Sequence, residues 1–166
     1  MVLPSTVTKS ATHLLSARIL IRPNIDSTKT CHSADYFPNP PPTDVADLLE
    51  DARLFCARAG EVKPRMEPGA VLMANGRGAS TKQHFRITWI EGCKAEEGEP
   101  LPSTVDPLGN GGAIIGKQKV DRCTWIMYQN WELCEKEAGV GGHTNVGCVD
   151  YWTGVGHVVS PLNMAL

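Results

Sequence analysis

Residues 109–120 read GNGGAIIGKQKV, so that Gly111, four residues, Gly116 and Lys117 reproduce all but one letter of a phosphate-cradling P-loop. That chemistry needs a buried strand running into the glycines, backbone amides aimed at phosphate, and a Ser or Thr after the lysine to hold magnesium. Here TVDPLGN precedes the glycines and cannot be such a strand, and Gln118 follows the lysine. The segment is therefore read as a flexible glycine loop feeding a helix. No nucleotide and no other cofactor is expected.

Six cysteines, Cys31, Cys56, Cys93, Cys123, Cys134 and Cys148, are the next residues with chemistry. An even number in so short a chain favours a disulfide framework, which requires an oxidising compartment. His143 and Cys148 in GGHTNVGC have the types of metal ligands, but no Cys-x-x-Cys spacing accompanies them, so no metal site is expected. The five histidines, His13, His32, His84, His143 and His157, fall in different expected elements. His143 is read as structural, at the mouth of a glycine-rich reversal. No Gly-x-Ser-x-Gly elbow is present, and the acidic stretches DLLED and KAEEGE are read as solvated surface. No catalytic residue is assigned.

These residues must be held by elements that the pattern suggests. Thr43, with Asp44 behind it, is an N-cap candidate, and Val45, Leu48, Leu49, Ala52, Phe55, Cys56 and Ala59 recur at helical spacing up to a stop at Gly60. AVLMA and HFRITWI flank the turn-rich NGRGASTKQ as two antiparallel strands, with Phe85, Ile87 and Trp89 on one face. Residues 91–112 lack a period and read as a surface loop. A second helix is expected from about Lys119 to Ala138, stopped by GVGG, and NVGCVDYWTGV reads as a last strand. The fold class is α+β, with two helices packed on one face of a mainly antiparallel sheet and disulfides stabilising it. Residues 1–30 are expected to be poorly structured apart from ARILI, a short-strand candidate; residues 31–160 form the cysteine-rich domain and 161–166 a tail.

On the second helix Cys123, Met127, Asn130 and Cys134 cluster on one side, flanked by Ile126, Trp131 and Leu133, and should face the sheet. Trp125, Tyr128, Gln129 and Glu132 share the opposite face, and an aromatic pair on a solvated helix face suits a sugar ring or a protein surface. The competing reading packs Trp125 under the first 30 residues. Cys123 and Cys134 lie about 16 Å apart along one helix, too far to bond each other. The expected pairs are Cys93 with Cys123, Cys134 with Cys148, and Cys31 with Cys56.

Charge narrows the partners. Sixteen basic and 18 acidic residues give a net charge of -2, without the basic excess a nucleic-acid module needs. No apolar stretch approaches the roughly 20 residues of a membrane span. The opening MVLPSTVTKSATHLLSARILIRPN lacks the form of an export signal, since Arg18 interrupts its apolar run. Either the true start lies upstream or the thiols stay reduced.

ITWIEGC, a loop with DPLG, then Cys123, Tyr128, Cys134, GVGG and VGCVDYW occur in that order within about residues 43–155. The series resembles a cysteine-rich domain of exported fungal proteins, similar to the C-terminal region of killer-toxin-like family 18 chitinases and to small stand-alone secreted effector-like proteins. The resemblance implies an extracellular location and carries over no catalytic residue; the chitinase acid motif Asp-x-x-Asp-x-Asp-x-Glu is absent from these residues. The first function expected is a non-enzymatic exported binding or toxin/effector-like domain with a cell-wall carbohydrate or protein target. The alternative is an accessory C-terminal module of a fungal chitinase-type carbohydrate-degrading enzyme. A third reading, an intracellular protein with six free thiols, goes with reduced cysteines.

Overall fold

Asp44, one residue after the expected cap, starts the first helix of the computed structural model: its Oδ1 accepts from the backbone amides of Ala46 at 2.7 Å and Asp47 at 3.3 Å. The structure describes residues 29–37, 40, 42–76, 83–93, 105–109, 111–135 and 140–156. ARILI lies outside them, as do most of the expected N-terminal segment and the whole tail. The elements are β1 (Lys29–Cys31), a 3-10 turn (Ala34–Tyr36), α1 (Val45–Val62), β2 (Val71–Asn75), β3 (Gln83–Trp89), β4 (Gly112–Ile115), β5 (Gln118–Asp121), α2 (Arg122–Glu132), β6 (Gly141–Val146) and β7 (Val149–Val155).

Helix α1 buries Leu48, Ala52, Phe55, Cys56 and Ala59 of the stripe expected from spacing, whereas Leu49 is half-buried and Val45, at the first turn, is exposed. It runs through Gly60 to Val62. A Cβ on Gly60 would lie 2.7 Å from Leu108 Cδ1, so this glycine admits a close neighbour rather than ending the helix.

The P-loop-like segment is a β-hairpin. Ile115 pairs with Gln118, leaving Gly116 and Lys117 as a two-residue turn in which Gly116 takes φ +59°. The second helix therefore starts at Arg122 rather than near Lys119. Asp121 terminates β5 and caps α2, its Oδ1 accepting from Thr124 N at 2.9 Å and its Oδ2 from the Thr124 hydroxyl at 2.7 Å.

Five strands form one antiparallel sheet in the order β1-β6-β7-β3-β2, and β4 with β5 forms a second. The expected single last strand is two: Val146 pairs with Val149 about a Gly147–Cys148 turn, with Gly147 at φ +55°. GVGG does not stop a helix directly, because α2 ends at Glu132 and Gly141 and Gly142 belong to β6. Along β3, Gln83, Phe85, Ile87 and Trp89 are buried, and the residues between them half-buried.

Helix α2 packs on β6 and β7 through the expected stripe. Asn130 Nδ2 donates to the Tyr151 carbonyl at 2.7 Å and its Oδ1 accepts from the Thr144 hydroxyl, while Thr153 Oγ1 donates to the Met127 carbonyl at 3.0 Å. Leu133 departs from the expected stripe: the helix has ended, and its side chain is 55% exposed.

The disulfides are Cys31–Cys134, Cys56–Cys123 and Cys93–Cys148, so none of the three expected pairs forms. Each expectation joined cysteines close in sequence, whereas the strand order decides proximity. β1 lies on β6, which brings Cys31 to the end of α2. Cys56 lies on the buried stripe of α1, where it meets Cys123 on α2. Cys93 and Cys148 meet at one end of the β3–β7 ladder, where Trp89 pairs with Val149 and Ile90 N donates to the Cys148 carbonyl at 2.9 Å.

Candidate functional site

Eleven residues of α2 carry two opposed faces. With the buried side occupied by Cys123, Ile126, Met127 and Asn130, helical geometry sends Trp125, Gln129 and Glu132 the other way, at i, i+4 and i+7. Glu132 is exposed, and Trp125 and Gln129 are half-buried. Tyr128, expected to be solvated with them, is only 8% exposed. Its ring lies between those of Trp125 and Trp131, with centroids at 6.5 and 6.3 Å. Trp125 is thus the more exposed aromatic of the expected pair, and residues 1–28, which the competing reading packs over it, lie outside the described residues.

The polar groups farther along that face are bonded to one another. The Tyr128 hydroxyl donates to Glu132 Oε1 at 2.9 Å, and Gln129 Nε2 donates to Glu132 Oε2, so both carboxylate oxygens are engaged. Burial, and then the bond to Glu132, push the Tyr128 phenol up to about 12, which keeps it a neutral donor at physiological pH. Lys29 of β1 completes the group, its Nζ donating to the Gln129 carbonyl at 2.9 Å near the end of α2. Desolvation lowers this amine to about 8, against the opposing pull of Glu132. Sequence reasoning missed Lys29, because only the pairing of β1 with β6 brings it there. An indole, an amide, a carboxylate and an ammonium can bind by stacking and hydrogen bonds.

A second cluster lies on the opposite face of the five-stranded sheet. His32, His84 and His143, which the sequence places in separate elements, converge there around Trp152 and Phe37. The His32 ring sits 4.6 Å from Trp152, 5.9 Å from Phe37 and 6.0 Å from His143, centroid to centroid. His32 Nε2–H donates to the Thr153 carbonyl at 3.1 Å. His143 Nδ1 bonds Asp150 Oδ1 at 2.8 Å, and Arg86 lies 3.7 Å from the other carboxylate oxygen with its guanidinium 5.4 Å from the Trp152 ring centre. His84 reaches the Gly156 carbonyl at 2.9 Å and Asn75 at 2.7 Å. Phe37 is 2% exposed, and a Cβ on Gly154 would lie 2.6 Å from its ring and 2.4 Å from Trp152. These groups are therefore a small second core under the 32–37 segment. His13 and His157 lie outside the described residues.

Lys117 borders a groove with Leu49, Ile115 and the start of α1, where the Asp44 carboxylate accepts from the amides of Ala46 and Asp47. Among the described residues the one group of three metal-ligand types close together is Cys56, Asp121 and Cys123, and its two sulfurs are bonded to each other.

Among the described residues, no helix is long and apolar enough to cross a membrane. No protein-family model, curated protein or solved structure matches the chain.

Proposed function

We propose that this chain is a non-enzymatic exported cysteine-rich binding domain of toxin or effector type, with both helices on one face of the sheet and the outward stripe of α2 as its contact surface. Three disulfides support the exported reading, since such bonds persist in oxidising compartments. One observation supports the binding reading: the half-buried Trp125 shares its helix face with Gln129 and Glu132, whose side chains are bonded to each other, and Lys29 bonds the Gln129 carbonyl near the end of that face. An indole suits the C–H face of a sugar ring, and polar groups along the same face suit the hydroxyls, so a cell-wall polysaccharide is the favoured target.

The test is sedimentation of the full chain with insoluble chitin and with β-glucan. Trp125→Ala should weaken binding about tenfold or more, Trp125→Phe should restore part of it, and Gln129→Ala should weaken it less. Near-UV circular dichroism must show both Trp125 variants folded. A wild-type chain that binds neither polysaccharide, or binding indifferent to Trp125→Ala, refutes the proposal; retention by a protein target through Trp125 would instead move the partner to the protein class.

A further inference from the structure

We infer that β2 is a self-association edge, along which two copies of the chain pair their β2 strands antiparallel about a two-fold axis through Met73. β2 ends the five-stranded sheet, and no described element lies on its far side. The direction of its backbone groups follows from the ladder with β3. Trp89 N donates to the Ala70 carbonyl and Gly76 N to the Gln83 carbonyl, so Ala70, Leu72, Ala74 and Gly76 are the positions that bond to β3. Val71, Met73 and Asn75 alternate with them, and their amides and carbonyls point away from the sheet.

Those groups are accessible and complementary to themselves. Val71 is 49% exposed and Met73 64% exposed. With Met73 opposite its own copy, Val71 falls opposite the copy's Asn75, and each facing pair can exchange two hydrogen bonds. The side chains of Val71 and Met73 stand beside Thr88 and Arg86, away from the buried Phe85 and Ile87, so Met73 would meet Met73 of the copy and Val71 the copy's Asn75.

Proteins block exposed edges with charge, proline, a bulge or shortness. β1, the other edge, is three residues long and starts with Lys29. β2 has five residues in unbroken register, and the stretch AVLMANG contains neither charge nor proline. No like charges on the strands oppose their approach. A second copy therefore satisfies every outward group with one symmetric contact.

The experiment is sedimentation velocity on the full chain from about 1 µM to about 1 mM, with amide hydrogen exchange at both ends of that range. Dimer should appear as concentration rises. Exchange at the amides of Val71, Met73 and Asn75 should slow at the same time, while the already bonded amides of Leu72 and Ala74 stay unchanged. Met73→Pro removes one outward amide without touching the β3 ladder, and Met73→Glu puts two carboxylates across the two-fold axis while facing Arg86 within each copy. Each variant should weaken dimerisation at least tenfold with the monomer's near-UV spectrum retained. A monomer throughout the range overturns the inference, as does a dimer that both folded variants leave intact. Concentration-independent protection of the three outward amides also overturns it, because the chain itself would then cover the edge.

Discussion

Acid should weaken this fold through His32, and the effect can be worked from its surroundings. The ring is packed against Trp152 and Phe37, with His143 facing it and its Nε2–H donating to the Thr153 carbonyl. Burial first, then the field of His143, lower its pKa from 6.5 to about 4, while the Thr153 carbonyl and Asp150 oppose the change and Arg86 adds to it. Because the native value is depressed, the unfolded chain binds the proton first as pH falls. Stability is full above about 6.5 and is lost progressively down to about 4, where the folded ring also charges and the loss levels off. At about 1.4 kcal/mol per pH unit the interval amounts to about 3 kcal/mol, a large share of the roughly 5–15 kcal/mol that holds a domain together.

The assay is urea denaturation between pH 4 and pH 7 for the native chain and for His32→Phe. Phenylalanine preserves the ring packing, and Gly142, which faces Thr153 in the β6–β7 ladder, keeps that carbonyl within a backbone hydrogen-bonded pair. Carboxylates contribute their own acid sensitivity to both proteins, so the quantity of interest is the difference between the two curves. The variant should lose about 3 kcal/mol less over that interval. In parallel, the His32 ring signals in nuclear magnetic resonance should titrate near pH 4. A midpoint near 6.5, or identical pH dependence in the two proteins, would refute the reasoning.

The disulfides are checked by digesting unreduced protein, which should yield the linked peptides Cys31–Cys134, Cys56–Cys123 and Cys93–Cys148. Replacing Cys31 and Cys134 by Ser opens a bridge spanning 103 residues and should cost about 4 kcal/mol in chemical denaturation, the largest loss of the three if loop entropy governs. Gly142→Val should prevent folding, because a Cβ there would lie 2.6 Å from the Thr30 carbonyl oxygen and 2.8 Å from Cys134 Sγ, whereas His143→Ala should retain the fold at a cost of about 1 kcal/mol for its bond to Asp150. Soluble yield and near-UV circular dichroism of the two variants check the contrast.

Features with a local cause were legible in the sequence. The apolar spacing of α1 and the alternation of β3 identified the buried faces, since each periodicity comes from the geometry of one element. The same logic gave the inward stripe of α2 and the outward placement of Trp125, Gln129 and Glu132. The hairpins were hidden because their turns, Gly116–Lys117 and Gly147–Cys148, lack the Asn-Gly signature, and cysteine and valine continue the look of a strand through the second one. Tyr128's burial depends on both neighbouring indoles, Lys29's place on a strand pairing more than 100 residues away in sequence, and the disulfides on the order β1-β6-β7-β3-β2. None of these is recorded within a window of a few residues. The convergence of His32, His84 and His143 has the same origin, and it had no local signal at all.

The bridges also bear on how α2 could serve as a recognition surface. A helix of eleven residues is marginal by itself, because the nucleation cost is spread over few turns. Here one end is tied at Cys123 to α1, and Cys134, two residues past the other end, is tied to β1. Between them Asn130 is bonded to both β6 and β7, through Thr144 and the Tyr151 carbonyl. Rotation about the helix axis would break these bonds or strain the bridges, so the direction in which Trp125 points is set by groups on the buried side. Lys29 precedes Cys31 by two residues on β1, so the Cys31–Cys134 bridge also holds its ammonium beside the last turn of the helix. A surface organised in this way loses little freedom when a ligand docks, and its affinity can rest on a few contacts. Opening Cys31–Cys134 should therefore weaken the proposed polysaccharide binding through Trp125, read by the same sedimentation assay, even where α2 stays folded.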